Sequence, residues 1–188
     1  SSVSGTLYGI SKETSMIIDA TIIAQPFAGE YKEKIYDIES EWKTQNWTFI
    51  KFINDDYSEW CGQFRGFPKN VAISEKFNTV LILTANFLFE INRNTNEIIN
   101  FEEQPQYQNV ISSPNGNYIL IDYYNIFKVN KSISNIEIVK SKIQMDMIEF
   151  KYWENKKMIF TCDEFLNNNN QNLKMELDSE SWEIRNAI

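Results

Sequence analysis

The chain has 188 residues, 43% hydrophobic and 14% aromatic, which is long enough to bury a core and too apolar for a disordered chain. A formal net charge of −8 repels phosphate backbones, so nucleic acid is not an expected partner, and no run of 18 apolar residues is present to span a membrane. Histidine is absent, which removes Ser-His-Asp and Cys-His catalysis and His-ligated zinc.

With only 6 Gly and 4 Pro, the turns must lean on Asn, which tolerates left-handed backbone. The two cysteines, Cys61 and Cys162, form no CxxC. One disulfide and two free thiols in a reducing cytoplasm both fit that spacing. The first residue is Ser1, consistent with removal of a leader and a secreted or surface location, or with trimming, so the compartment stays open.

Taken in order, residues 5–10 (Gly-Thr-Leu-Tyr-Gly-Ile) predict a short strand and Glu13-Thr14 a turn. Met16–Ile23 is a continuous apolar run of the kind that forms a buried strand, ended by Pro26 to Gly29. Lys34–Ile38 alternates and reads as a strand, and Trp47–Ile53 as another. Residues 39–45 have room for a turn of helix. Residues 54–70, dense in aromatics with two Gly and one Pro, then read as an insertion.

From Val71 to Ile138 the same unit occurs twice. Val71-Ala-Ile-Ser74, Asn78–Thr84, Phe87–Asn92 and Glu97-Ile98-Ile99 are followed by Val110–Ser113, Asn117–Asp122, Asn125–Asn130 and Ile136-Glu-Ile138. Val71 and Val110 are 39 residues apart, as are Val80 and Ile119. A third copy follows, with strands at Ile148–Phe150, Lys157–Thr161, Leu173–Leu177 and Trp182–Ile184. Residues 141–150 also accommodate a short helix, though Ile143, Met145, Met147 and Phe150 fit neither period. Asn167–Asn172 is a polar low-complexity tract that reads as a hairpin loop. A fixed period of this length marks one supersecondary unit used repeatedly. The expected fold is therefore all-β: one domain over 1–188, with a divergent first repeat at 5–53, the insertion at 54–70, and repeats at 71–108, 109–146 and 147–188.

Each copy is a four-stranded antiparallel meander. Ser113-Pro114-Asn115-Gly116 is similar to the Ser-Pro-Asp-Gly turn between the first two strands of a β-propeller blade. Phe89–Ile98 resembles the third strand, turn and fourth strand of such a blade. The repeat over 71–184 thus resembles β-propeller blades, with the WD40-like class nearest in length, although it lacks the Gly-His and Trp-Asp pairs. The resemblance implies three or four blades, few for a closed ring, arranged as a small propeller or a continuous twisted sheet of meanders. An ordinary β-sandwich also accommodates strands at this spacing.

Tyr57, Trp60, Phe64, Arg65 and Phe67 are the side chains that dominate protein interfaces, and they make residues 57–67 the leading candidate for partner binding. The competing reading is that these aromatics cover an open end of the sheet. Tyr123-Tyr124 and Trp153 suit either a sugar platform or packing at strand ends. Asp19, Asp37, Asp55, Asp56, Asp122, Asp163, Glu164 and Asp178 supply carboxylates, but no spacing sets two of them across a cleft for glycoside hydrolysis. Asn54-Asp55-Asp56 matches no calcium loop. No catalytic group, metal or cofactor is expected. The composition points to a non-catalytic protein-binding module whose acidic surface attracts a basic protein, such as an inhibitor or immunity protein that occludes a toxin. A carbohydrate- or small-ligand-binding module is the alternative. Oligomeric state is left open.

Overall fold

The computed structural model describes residues 15–166 and 170–188. The strand expected at 5–10, the turn at 13–14 and Asn167–Asn169 of the polar tract lie outside them.

The described residues are all-β, without helix, and form sixteen strands in four four-stranded sheets. Sheet 1 holds β1 (Ile17–Ile23), β2 (Lys32–Tyr36), β3 (Trp47–Asn54) and β4 (Glu59–Arg65), in the order β1-β3-β4-β2. Its last pair, β2 with β4, is parallel. Three plain antiparallel meanders follow. Sheet 2 is β5 (Pro68–Ser74), β6 (Thr79–Thr84), β7 (Phe87–Asn92) and β8 (Ile98–Glu103). Sheet 3 is β9 (Asn109–Ser112), β10 (Tyr118–Ile121), β11 (Ile126–Val129) and β12 (Ile136–Ile138). Sheet 4 is β13 (Met145–Glu154), β14 (Lys157–Glu164), β15 (Leu173–Asp178) and β16 (Ile184–Asn186).

Hydrophobic pattern explains the stacking. Three apolar cores lie between successive sheets: one around Phe52, Phe64 and Phe89, one around Leu81, Tyr118 and Leu120, and one around Ile119, Phe160 and Leu177. Sheets 2 and 3 are therefore covered on both faces. A strand covered on both faces needs apolar residues at every position, and β6 (Thr-Val-Leu-Ile-Leu-Thr) and β10 (Tyr-Ile-Leu-Ile) are buried throughout. The end sheets alternate instead: in β3, Thr48, Ile50, Phe52 and Asn54 are buried while the residues between them are half-buried. On the outward side of sheet 4, Glu176 is bridged by Lys157 at 3.4 Å and Arg185 at 2.8 Å.

Asparagine does supply the turns. Asn78, Asn96, Asn155 and Asn172 all have positive φ. In the turn between β9 and β10, Gly116 has φ +84°, its amide donates to the Ser113 carbonyl at 2.9 Å, and the Ser113 hydroxyl accepts from the Asn117 amide at 2.9 Å.

Three expectations need correction. Met16–Ile23 is not a buried strand: only Ile17 of β1 is buried, because β1 runs along the end sheet. Residues 54–70 are not an insertion, since they contain β4 and the start of β5. Residues 39–45 form no helix and stay irregular, and in 141–150 four irregular residues are followed by the first six of β13. Of the two states left open for the cysteines, the structure shows the free thiols: Cys61 and Cys162 are both unbonded and buried, one in sheet 1 and the other in sheet 4.

Candidate functional site

The five residues expected to bind a partner divide between core and surface. Trp60 and Phe64 face inward from β4. Trp60 stacks on Phe52 at 4.4 Å and donates through Nε1 to Asn54 Oδ1 at 3.2 Å. Phe64 stacks on Tyr36 at 4.4 Å and meets Phe89 at 5.2 Å across the sheet interface. Both anchor the first core and are closed to a partner. Gly62 between them lets the rings close, since a Cβ there would stand 2.8 Å from Phe52 and from Phe64.

Arg65 points the other way and is already engaged. Its Nε and Nη2 donate to the two Asp37 oxygens at 2.7 and 3.0 Å, and its Nη1 to the Thr44 carbonyl at 2.8 Å. The guanidinium also stands 4.4 Å from the Trp47 ring centre. This fork ties the irregular stretch before β3 onto the sheet, and it holds the Asp37 carboxyl below its ordinary range. Tyr57 and Phe67 are exposed, at 81% and 62%. They lie at opposite ends of β4, about 23 Å of strand apart, and form no common surface.

The carboxylates mostly organise turns. Asp122 accepts the Tyr124 and Asn125 amides, Asp178 those of Glu180 and Ser181, and Asp56 the amide and hydroxyl of Ser58. The two amides hold Asp178, and the Ser58 hydroxyl and then its amide hold Asp56, below the usual carboxylate range. Among the described residues no group of three or more Cys, Asp and Glu converges to hold a metal ion. Trp153 packs, half-buried, against the third core.

A different surface brings recognition side chains together. A cleft of about 480 Å³ opens between the ends of sheets 3 and 4, lined by Tyr124, Ile138, Val139, Ile143, Met145 and Phe165. Its volume lies within the range of pockets that receive small ligands, about 300–1,000 Å³. Lys140 is its single charged lining residue, and no carboxylate or thiol lines it. Tyr123, Tyr124, Ile138, Phe165 and the neighbouring Leu166 are all exposed around it.

Backbone hydrogen bonds hold this rim. The Ile148 amide donates to the Tyr123 carbonyl at 3.2 Å, the Phe165 amide to the Gln144 carbonyl at 2.8 Å, and the Val139 amide to the Ile126 carbonyl at 2.8 Å. The hairpin turn of sheet 3 is thus fastened to β13, and that of sheet 4 to the segment before β13. Large aromatic side chains are presented from a fixed frame, at small entropic cost on binding.

Tyr123-Tyr124 was visible in the sequence as a candidate platform, whereas Phe165-Leu166 was missed. The available signal was positional. Each pair follows the second strand of its sheet, where sheet 2 has Ala85-Asn86. Large apolar side chains in a tight solvent-facing turn are costly unless something covers them.

No family model matches the chain, and no curated protein matches it. Two solved structures are similar at low level. One is a chain of the S. cerevisiae assembly of a dbp5 variant with nup159, a gle1 variant, IP6 and ADP, at 12% identity and a TM-score of 0.45. It covers 83% of this chain and 43% of that one. The other is a Bacteroides caccae protein of unknown function, at 14% identity and a TM-score of 0.45, covering 71% of this chain and 57% of that one. The chain spans about half the length of these structures, and at this similarity neither carries an argument about activity.

Proposed function

We propose that the chain is a non-catalytic protein-binding module, a propeller-like stack of meanders that takes apolar anchor residues of a partner into the cleft between sheets 3 and 4. The observation that carries this reading is the rim of Tyr123, Tyr124, Phe165 and Leu166, exposed around an apolar cleft and held by main-chain hydrogen bonds. Aromatic anchors beside a preformed pocket are the usual energetic centre of an interface. The net charge of −8 steers a basic partner toward the chain and speeds encounter at low salt. Occlusion of a basic toxin or enzyme by an inhibitor or immunity protein is the biological class this combination suits.

The test is cross-linked capture from source extracts, followed by calorimetry with the purified partner. The intact chain and a Tyr124→Ala/Phe165→Ala variant are compared, with a Tyr57→Ala control. A single stoichiometric partner should bind the intact chain and the control alike, and bind the double variant at least about tenfold more weakly, as loss of one modest anchor implies. Equal binding by all three forms rules out the cleft. An acidic partner whose association is insensitive to salt rules out the steering.

A further inference from the structure

The opposite end of the stack carries a second site of different chemistry. The turns β5–β6, β9–β10, β11–β12 and β15–β16 surround a polar cleft of about 680 Å³, lined among others by Lys76, Lys128, Lys131, Asn115, Asn130 and Trp182. Three lysines thus converge on a chain whose net charge is −8. The one acidic lining residue, Glu180, is paired with Lys156 outside the cleft at 2.7 Å. Among the described residues Lys76 and Lys131 have no carboxylate within ion-pair distance, and Lys128 has only Glu137 at 4.0 Å.

Two of the three ammonium groups are held. Lys76 Nζ donates to Asn117 Oδ1 at 2.8 Å and stands 5.2 Å over the Phe77 ring. Lys128 Nζ stands 4.9 Å over the Trp182 ring. Lys131 sits on the β11–β12 turn with φ +71°. The frame beneath is interlocked across three sheets. Ser74 Oγ donates to the Gly116 carbonyl at 2.6 Å, and Asn117 Nδ2 to the Ser179 carbonyl at 3.2 Å. At Gly116 a Cβ would stand 2.8 Å from Lys76 Cβ, so the two turns touch.

Like charges gathered in a cleft repel one another and concentrate anions there. Lysine ammonium groups are point charges that attract a carboxylate or a phosphate alike, so the neutral part of a ligand must supply the selectivity. The side-chain amides of Asn130 and Asn135 each offer both a donor and an acceptor, which suits hydroxyl groups, while Asn115 Oδ1 already accepts from the Ser113 hydroxyl and leaves its Nδ2 to donate. We infer that this cleft binds an anionic sugar, with the lysines taking its acidic group and the asparagine amides the ring hydroxyls.

The inference is independent of the protein-binding reading and is tested separately. The intact chain is titrated by calorimetry and ligand-observed NMR with a glucuronate-containing trisaccharide, its carboxyl-reduced neutral analogue, and inorganic phosphate. The acidic trisaccharide should bind at least about tenfold more tightly than the neutral analogue and phosphate, as expected if charge-assisted hydrogen bonds dominate. Lys128→Gln/Lys131→Gln should lose that preference while unfolding at the same temperature as the intact chain. Tyr124→Ala/Phe165→Ala should keep it. No binding of the acidic sugar overturns the inference, as does equal binding of the neutral analogue. Tighter phosphate binding identifies a general anion cluster and overturns it too. If the lysine variant unfolds early, Asn135→Ala, on the exposed turn, replaces it and must weaken the sugar at least about threefold, the loss of a modest hydrogen bond.

Discussion

Tyr118 donates its phenol proton to the main-chain carbonyl of Thr79 at 2.7 Å, and these two residues hold the same place in successive copies of the repeat, 39 positions apart. Asn70 and Asn109 repeat the relationship, with Asn70 Nδ2 donating to Asn109 Oδ1 at 2.7 Å across the same 39 positions. Sheets 2 and 3 are thus joined by bonds between equivalent sites as well as by a shared core. Tyr118→Phe keeps the ring in the core and removes the bond to a buried carbonyl. It should cost about 1–3 kcal/mol, read as a lower urea midpoint at unchanged slope. An unchanged midpoint would show that the bond adds no net stability.

Gly62→Ala should destabilise sheet 1. The new Cβ would meet Phe52 and Phe64 at 2.8 Å, and both rings are pinned, by Trp60 and by Tyr36. Overpacking of this kind typically costs about 1–3 kcal/mol. Thermal unfolding measures it, and a midpoint equal to the parent would mean that the rings shift freely.

Arg65→Ala should weaken the acid dependence of stability. Arg65 lowers the Asp37 carboxyl, so the folded value lies below the unfolded one. The stabilisation is present above the ordinary carboxylate range and is lost as pH falls through the folded value. Asp37 is about half exposed, with a side-chain exposure of 49%, so solvent screening limits the pair to about 1 kcal/mol or less. Unfolding free energy from pH 6 down to 3 should fall less steeply in the variant. Parallel curves would contradict the pairing.

The two thiols should be silent in the native protein. Burial pushes Cys61 and Cys162 up to about 11 from an ordinary 9.0. The folded state therefore favours the neutral thiol. That preference is fully present below the unfolded value and is lost as pH rises through the folded one, so stability should decline between about pH 9 and 11. Native protein should react with a thiol reagent only at its opening rate, and both thiols should react at once in 6 M guanidinium. Fast labelling under native conditions would contradict their burial.

Much of the architecture was legible because a two-sided sheet leaves a plain mark. Val80–Leu83 and Ile119–Ile121 must be apolar at every position when both faces are covered, and the matching turns recur at the same interval. The absence of histidine and the excess of acidic residues were equally direct statements about chemistry and charge. Sheet 1 was less legible. Trp60 and Phe64 have the composition of an interface and the position of a core, and only the pairing of β4 with β3 and β2 separates the two. Met16–Ile23 erred the other way, since an apolar run carries no information about which face finds a neighbour.

Composition, charge, the period of 39 and the apolar strands were determined by the chain alone, because each depends on residues close in sequence. Tertiary structure decided which turns meet. Tyr124 and Phe165 share a cleft, and Lys76, Lys128 and Trp182 share another, because stacking sheets brings together turns from different repeats. That convergence depends on how the sheets pack through their cores, and no local pattern in the sequence records it.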